Sequence, residues 1–226
     1  MTPPPLSRSL CLILPLLVIF GCNQSDSKND FKNSTTEKSA ADSAKLNELP
    51  VLVQLPEFTL QDQNGAGFGS AQLNDKPWIA NFVFTRCPTT CPIQTRNLAK
   101  FQKQLKKIDG GDEVELVSIT VDPNFDTSAV LADYAKRMEA DPEGWHFLTG
   151  SRDDIWELCK KGFKLAVDDA PPKAPSPIIH SSRMMLVDRD GQIRGFYEGT
   201  TREGMEDLRL AVEKLLEVEK KPPKQD

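Results

Sequence analysis

The sequence predicts an α/β domain in which a mostly parallel central sheet is flanked by helices and ends in an antiparallel hairpin at one edge. Two observations lead to this fold class. Nearly continuous apolar runs alternate along the chain with segments whose apolar residues recur every three or four positions. Such runs are typical of parallel strands that are covered on both faces. Two late runs meet at Asp190-Gly191, a pair that favours a tight hairpin turn.

The first half of the domain supplies two strands and two helices. A turn at Gln63-Asn64-Gly65 follows an extended lead-in, and Gly110-Gly111 ends the first long helix. Either Asp126 or Thr127 can cap the second helix. The elements expected here are a lead-in over 57–60, a strand over 78–84, a helix over 93–108, a strand over 114–121 and a helix through Val130, Leu131, Tyr134 and Met138.

The second half continues the alternation and then changes to a hairpin. Ser151 is a suitable cap for a helix that contains Cys159. The elements expected here are a strand over 146–149, that helix, a Pro-rich loop, hairpin strands over 183–188 and 192–198, and a helix through Met205, Leu208, Val212, Leu215 and Leu216. The order βαβαβα, hairpin, helix is the thioredoxin-like layout.

The chain divides into four predicted segments. Residues 1–22 are a lipoprotein-type signal, 23–48 a flexible tether, 49–216 the folded domain and 217–226 a charged tail. The tether prediction rests on its Ser, Asn, Asp, Lys and Thr content, which cannot bury enough apolar surface to fold. With 226 residues and a net charge of −5, the chain has no basic stripe with interleaved aromatic residues, which argues against nucleic acid as a partner.

The N-terminus reads as a targeting segment. Arg8 precedes an apolar run from Leu10 to Phe20, which is shorter than the roughly 20 residues of a membrane-spanning helix. Gly21-Cys22 then resembles the end of a bacterial lipoprotein signal, which implies lipidation of Cys22. An ordinary secretory signal or an uncleaved anchor is the alternative. All three interpretations place the domain outside the cytoplasm. A lipoprotein signal or an uncleaved anchor would also hold it at the membrane, on the periplasmic side of the cell envelope.

Five cysteines are present, and two of them form a close pair. Cys11 lies in the signal, Cys22 is the lipidation candidate, and Cys159 is expected to be a small buried apolar residue. Cys87 and Cys91 lie where a buried strand ends and Pro92 can begin a helix. The unpaired amides and dipole of a helix N-terminus favour thiolates there. Such a pair can cycle through a disulfide or hold a soft metal.

His180 is the candidate third ligand. It follows a loop with four prolines and precedes a strand that, in this layout, runs beside the strand before Cys87. Two thiolates and an imidazole suit copper, since thiolate selects Cu(I) and imidazole also suits Cu(II). Structural zinc usually requires four protein ligands. His146 is the sole candidate for a fourth, and it is expected to be structural or exposed.

Four motifs together resemble the Sco (SenC/PrrC) family across residues 49–216. They are Thr85-Arg-Cys-Pro-Thr-Thr-Cys-Pro92, Ser118-Ile-Thr-Val-Asp-Pro123 with Asp126-Thr127, Phe147-Leu-Thr-Gly150, and His180-Ser-Ser with Leu186-Val-Asp188. The resemblance implies a membrane-tethered thioredoxin-fold protein that binds copper through Cys87, Cys91 and His180. It also implies a role in assembling the dinuclear copper centre (CuA) of cytochrome c oxidase, whose copper subunit would be the recipient. Cys159 and the lipoprotein-like signal depart from the family pattern.

Two residues near the cysteine pair have open roles. Asp122 can tune thiol or metal chemistry, or it can form a turn with Pro123, which is slightly favoured. Arg86 can lower the pKa of the neighbouring thiol or point into solvent.

Other functions compete with copper delivery. A thiol-disulfide oxidoreductase would use Cys87 and Cys91 as a redox pair and would reduce the cysteines of the same target, although such enzymes normally separate their cysteines by two residues rather than three. A peroxide reductase needs partner residues that are not found at matching spacing. The sequence does not distinguish a redox or copper sensor from a copper chaperone.

Overall fold

The computed structural model describes residues 49–220. The predictions for the signal, the tether, Cys11 and Cys22 therefore lie outside the described residues, as does the end of the predicted tail. None of the helices within 49–220 is long and apolar enough to cross a membrane.

The domain alternates strands and helices in the predicted order. The strands are β1 Val53–Gln54, β2 Thr59–Gln61, β3 Gly67–Gly69, β4 Trp78–Val83, β5 Glu115–Thr120, β6 Trp145–Leu148, β7 Val167–Asp169, β8 Ile178–His180, β9 Arg183–Val187 and β10 Gln192–Glu198. The helices are α1 Ser70–Leu73, α2 Thr90–Leu105, α3 Ser128–Arg137, α4 Arg152–Glu157 and α5 Arg202–Lys220, with a 3-10 turn at Gly111–Glu113 and a π-helical segment at Leu158–Gly162.

The main sheet has the strand order β1-β10-β9-β4-β5-β6. Strands β4, β5 and β6 are parallel, and the β9–β10 hairpin joins β4 in antiparallel register. This arrangement confirms the predicted thioredoxin-like class. The short β1 extends the sheet beyond β10.

Both faces of the sheet are covered, which explains why every residue of β4 is buried. One face packs against α2, α3 and α5 through residues such as Leu98, Tyr134 and Leu208. The other packs against α4, the π-helical segment and the β2–β3 hairpin, for example through Ile155 and Phe163. Because the parallel strands end at one edge, the loops after β4 and β5 meet there.

Several boundaries differ from the sequence-based expectation. Helix α2 begins at Thr90, so Pro92 is its third residue, a position whose N–H is still not needed by the helix. Thr127 rather than Asp126 caps α3, because its side chain accepts a hydrogen bond from the Val130 amide. Helix α5 continues to Lys220, into the segment predicted as a tail. The Pro-rich loop before His180 contains the β7–β8 hairpin, and the described residues include no cis peptide bond.

Candidate metal centre

Cys87 and Cys91 lie at the carboxyl end of β4, on either side of the start of α2. The backbone N–H of Cys87 donates to the Phe84 carbonyl at 3.1 Å, which closes the turn after the strand. The Cys87 sulfur accepts the backbone N–H of Cys91 at 3.5 Å and contacts the Thr90 hydroxyl at 3.5 Å. Cys87 is 8% exposed and Cys91 is fully buried, and both are free thiols. A group that approaches from solvent therefore meets Cys87 first.

The two sulfurs do not share the same charge state. A hydrogen bond from the Cys91 side chain, supported by Thr90 and by helix amides, lowers the pKa of Cys87 to about 4. The same hydrogen bond, together with burial, raises the pKa of Cys91 well above its ordinary value. The expectation of two thiolates was therefore wrong for the metal-free pair. The two adjacent sulfurs share one proton. It stays on the Cys91 sulfur, because a negative charge at that buried position would be poorly solvated.

The strand pairing brings His180 to the thiols. Because β9 runs antiparallel to β4, the segment that leads into β9 returns to the carboxyl end of β4. His180 ends β8, and its Nε2 lies 3.4 Å from the Cys91 sulfur. Its Nδ1 lies 2.9 Å from the Ser181 carbonyl oxygen. Since a carbonyl can only accept a hydrogen bond, Nδ1 carries the proton and Nε2 presents its lone pair to the thiol.

The surroundings keep this imidazole neutral. Burial lowers the pKa of His180, and its ring meets the Phe84 ring edge-on, with 5.5 Å between centroids. A neutral imidazole held by its other nitrogen is the usual form of a histidine that binds metal. The donor set thus fits a soft metal such as copper. Within residues 49–220, however, no group of three or more His, Cys, Asp or Glu side chains is already arranged around a common point.

Arg86 and Asp122 pair with each other. Both Nε and a terminal nitrogen of Arg86 donate to one Asp122 oxygen, at 3.0 and 2.5 Å, and the guanidinium lies 4.4 Å above the Phe125 ring. The Asp122 carbonyl also accepts the amides of Phe125 and Asp126, so the predicted turn is present. Arg86 therefore stays partly exposed to solvent, but Asp122 and Phe125 hold its guanidinium, and neither of these partners is the Cys87 sulfur.

The structure adds one residue to the site that sequence reasoning treated as a helix cap. Asp126 is fully buried, and its carboxylate accepts the Thr85 backbone N–H at 3.0 Å, the Thr85 hydroxyl and the Thr120 hydroxyl at 2.6 Å. It therefore fixes the residue that lies two positions before Cys87. Its place in the Val-Asp-Pro-x-x-Asp pattern was the available signal, but that pattern does not show which way the side chain points.

His146 and Cys159 lie apart from the candidate centre. His146 stacks on Phe68 at 3.9 Å between centroids, and its Nε2 lies 3.4 Å from Glu115, at the start of β5. This contact helps to lower the pKa of Glu115 to about 2. Cys159 is 1% exposed within the apolar core, and burial raises its pKa to about 12. Both expectations, a structural histidine and a buried apolar cysteine, are confirmed.

Among the three cysteines within residues 49–220, we expect only Cys87 of the reduced protein to react with iodoacetamide, at a rate that changes little between pH 6 and pH 8. The reason is that Cys87 stays a thiolate throughout this range, whereas Cys91 and Cys159 stay protonated and buried. Peptide mapping of the alkylated protein measures this. In Cys91→Ala the main hydrogen-bond donor is lost, so the rate should rise with pH. A wild-type rate that increases about tenfold per pH unit, as for an ordinary thiol, would contradict the assignment.

Comparison with known proteins finds a family model and several solved structures that are similar to this chain. The family model described as SCO1/SenC matches residues 51–217. The structure of a SCO1/SenC family lipoprotein from Bacillus anthracis is 34% identical, with a TM-score of 0.67, over 74% of this chain and 97% of that one. BsSco, described as a member of the Sco family of cytochrome c oxidase assembly proteins with a disulfide switch, is 30% identical, with a TM-score of 0.63, over 74% and 96%. Bradyrhizobium japonicum ScoI with copper bound is 26% identical, with a TM-score of 0.59, over 71% and 99%.

Proposed function

The chain belongs to the SCO1/SenC family, and on that premise we propose that it is a copper metallochaperone. It binds copper as cargo through Cys87, Cys91 and His180 and delivers it to the CuA centre of cytochrome c oxidase. The copper-bound relative and the relative described as an oxidase assembly protein support both halves of the proposal.

The observation that carries the proposal is the contact between Cys91 and His180. The 3.4 Å separation joins residues 89 positions apart in the chain, and the Ser181 carbonyl turns the free nitrogen toward the sulfur. A thiol-disulfide exchange reaction has no need for such an imidazole. A soft metal does, because neutral imidazole and thiolate are both ligands that copper prefers.

The arrangement also suits release of the metal. Three protein ligands leave copper open to a fourth, so an incoming thiolate can join before a resident ligand leaves. Cys87 is the more exposed of the two sulfurs and already a thiolate. We therefore assign to Cys87 the first exchange with the partner, and to Cys91 and His180 the retention of copper until the partner is engaged.

A second function is favoured by the unequal protonation of the two thiols. The Cys87 thiolate can attack a disulfide of the target to form a mixed disulfide, and one target thiolate leaves. Cys91 then gives its proton to the target thiolate released in the first step and attacks the Cys87 sulfur, which releases the second target thiolate. The target gains two electrons, Cys87 and Cys91 become a disulfide, and an external thiol reductant must restore them. This reaction would prepare the target's cysteines for copper.

The test is delivery to a soluble CuA domain of the oxidase subunit. We expect the reduced protein to bind one equivalent of copper and to fill a reduced CuA domain, as followed by the CuA absorption. With an oxidised CuA domain, both the metal-free wild type and His180→Ala should reduce the cysteines of the target. His180→Ala should then fail to load the target with copper. A wild-type protein that binds no copper, or keeps it in the presence of the CuA domain, would contradict delivery. Deletion of the gene tests delivery in the cell. If added copper restores oxidase activity in the deletion strain, the result supports copper delivery.

We further propose that Cys22 carries a lipid and holds the domain at the outer side of the membrane. The match of Gly21-Cys22 to a lipoprotein signal supports this, and a structural relative is itself described as a lipoprotein. Metabolic labelling with a radioactive fatty acid should label the wild type but not Cys22→Ser. Equal labelling of the two proteins would contradict the proposal.

A further inference from the structure

A second contact joins α2 to the segment that carries His180, one helical turn beyond the thiols. Gln94 is 1% exposed, and its side-chain Nε2 donates to the Ser182 carbonyl at 2.9 Å. Gln94 follows Cys91 by three positions, so both side chains lie on the same face of α2. Ser182 follows His180 by two positions. The Cys91–His180 and Gln94–Ser182 contacts are therefore neighbours, and both join α2 to the same segment.

The acceptor of this hydrogen bond is fixed from the other side. The Ser182 carbonyl also accepts the Gly199 backbone N–H at 3.3 Å, and the Ser182 hydroxyl donates to the Glu198 carboxylate at 3.0 Å. Ser182 is thereby tied to the end of β10. Because β9 and β10 form a hairpin in the main sheet, the carbonyl that Gln94 binds belongs to the rigid part of the domain.

The space that Gln94 occupies depends on the glycine at position 199. A Cβ atom at Gly199 would lie 2.9 Å from the Gln94 Cγ and 2.9 Å from the Met184 Cε. A side chain at position 199 would thus push directly against Gln94 unless both flexible groups moved. The absence of a side chain at this position leaves the space in which the amide reaches Ser182.

We propose that Gln94 is a positioning residue that sets the distance between Cys91 and His180, and thereby decides whether the imidazole joins the thiolates on copper. This inference rests on the proposed copper site. The thiol–imidazole contact must open when the metal arrives, whereas the Gln94–Ser182 hydrogen bond uses no metal ligand. It can therefore hold α2 and the His180 segment together in both the loaded and the metal-free protein.

The experiment compares Gln94→Met and Gln94→Glu with the wild type. Met keeps the length of the side chain without a donor, and Glu places a carboxylate against the Ser182 carbonyl. In the Cu(II) protein we expect both variants to lose the nitrogen hyperfine coupling of the imidazole in electron paramagnetic resonance. Copper affinity should fall by up to about tenfold to a hundredfold, the range found when a group that orients a metal ligand is removed. In the metal-free protein, the NMR signals of the His180 ring should shift.

Asn97→Leu is the matched control, because Asn97 lies on the same helix and its side chain donates to the Gly199 carbonyl at 3.0 Å rather than to the Ser182 carbonyl. It should keep the coupling and the ring signals. Coupling, affinity and ring signals that remain at wild-type values in both folded Gln94 variants would overturn the inference and leave the copper site standing. A wild type without nitrogen coupling, but with ring signals that still shift in the variants, would instead overturn His180 as a ligand.

Discussion

Cys87→Ser and Cys91→Ser are each expected to lower the affinity of the reduced protein for Cu(I) by roughly a hundredfold to a thousandfold. Structural metal sites with four ligands bind with about 10–16 kcal/mol, so one ligand contributes about 2.5–4 kcal/mol. A serine hydroxyl cannot replace the thiolate, because it is a hard ligand that stays protonated at neutral pH. Competition with a chromophoric Cu(I) chelator measures the affinity.

Loss of the His180 ligand should affect the affinities for Cu(I) and Cu(II) to different extents. We expect His180→Ala to weaken Cu(II) binding more than Cu(I) binding, since two thiolates alone satisfy Cu(I) while Cu(II) favours nitrogen ligands. Cys159→Ala and His146→Ala are the matched controls, because both side chains are bound elsewhere in the domain. Unchanged Cu(I) affinity in either Ser variant, or a loss in the controls as large as in the ligand variants, would rule out this ligand set.

Asp126→Ala is expected to destabilise the metal-free protein by at least about 3 kcal/mol. The change removes the acceptor for the Thr85 amide, the Thr85 hydroxyl and the Thr120 hydroxyl, all at a fully buried position. Each unsatisfied buried donor costs about 1–3 kcal/mol, although the hydroxyls can turn to partial substitutes. Denaturant unfolding measures the loss, and copper affinity should fall as well because Thr85 positions the Cys87 loop.

Asp122→Asn is the control for this prediction, since it changes the same kind of side chain four residues away. Asp122 pairs with Arg86, whose side chain is 45% exposed, so the loss should be about 1 kcal/mol or less. A loss in Asp126→Ala that is no greater than in Asp122→Asn would show that the buried carboxylate does not brace the loop.

The ionisation of Asp126 should also make the free energy of unfolding depend on pH. Burial raises the pKa of this carboxyl above its ordinary value of 3.8. A raised pKa in the folded state means that the protonated form favours folding, and that this contribution is lost as the pH rises through the folded-state pKa. Asp126→Asn cannot ionise, and the Thr85 hydroxyl can accept from its amide. Its stability relative to the wild type should therefore improve from pH 3.5 to pH 7.

Local pattern was enough to predict the elements that carry the thiols. The apolar run of β4, the periodicity of α2 and the capping side chains of Thr127 and Ser151 act over a few residues, and these elements appear as expected. The β7–β8 hairpin was missed because its strands have only three residues each and prolines lie between them. One residue of each strand, Val167 and Ile178, is buried in the core, so contacts with the rest of the domain also hold this hairpin.

Residue type and short-range periodicity were enough to predict the fold class and the position of Cys87 and Cys91 after a central strand, and the family resemblance pointed to His180 as their partner. The folded domain was needed to show which sulfur is charged, which nitrogen of His180 faces the thiols, and that Asp126 and Gln94 support the loops on either side. These properties depend on burial and on hydrogen bonds between residues up to 89 positions apart. Such contacts exist only once β9 has paired with β4.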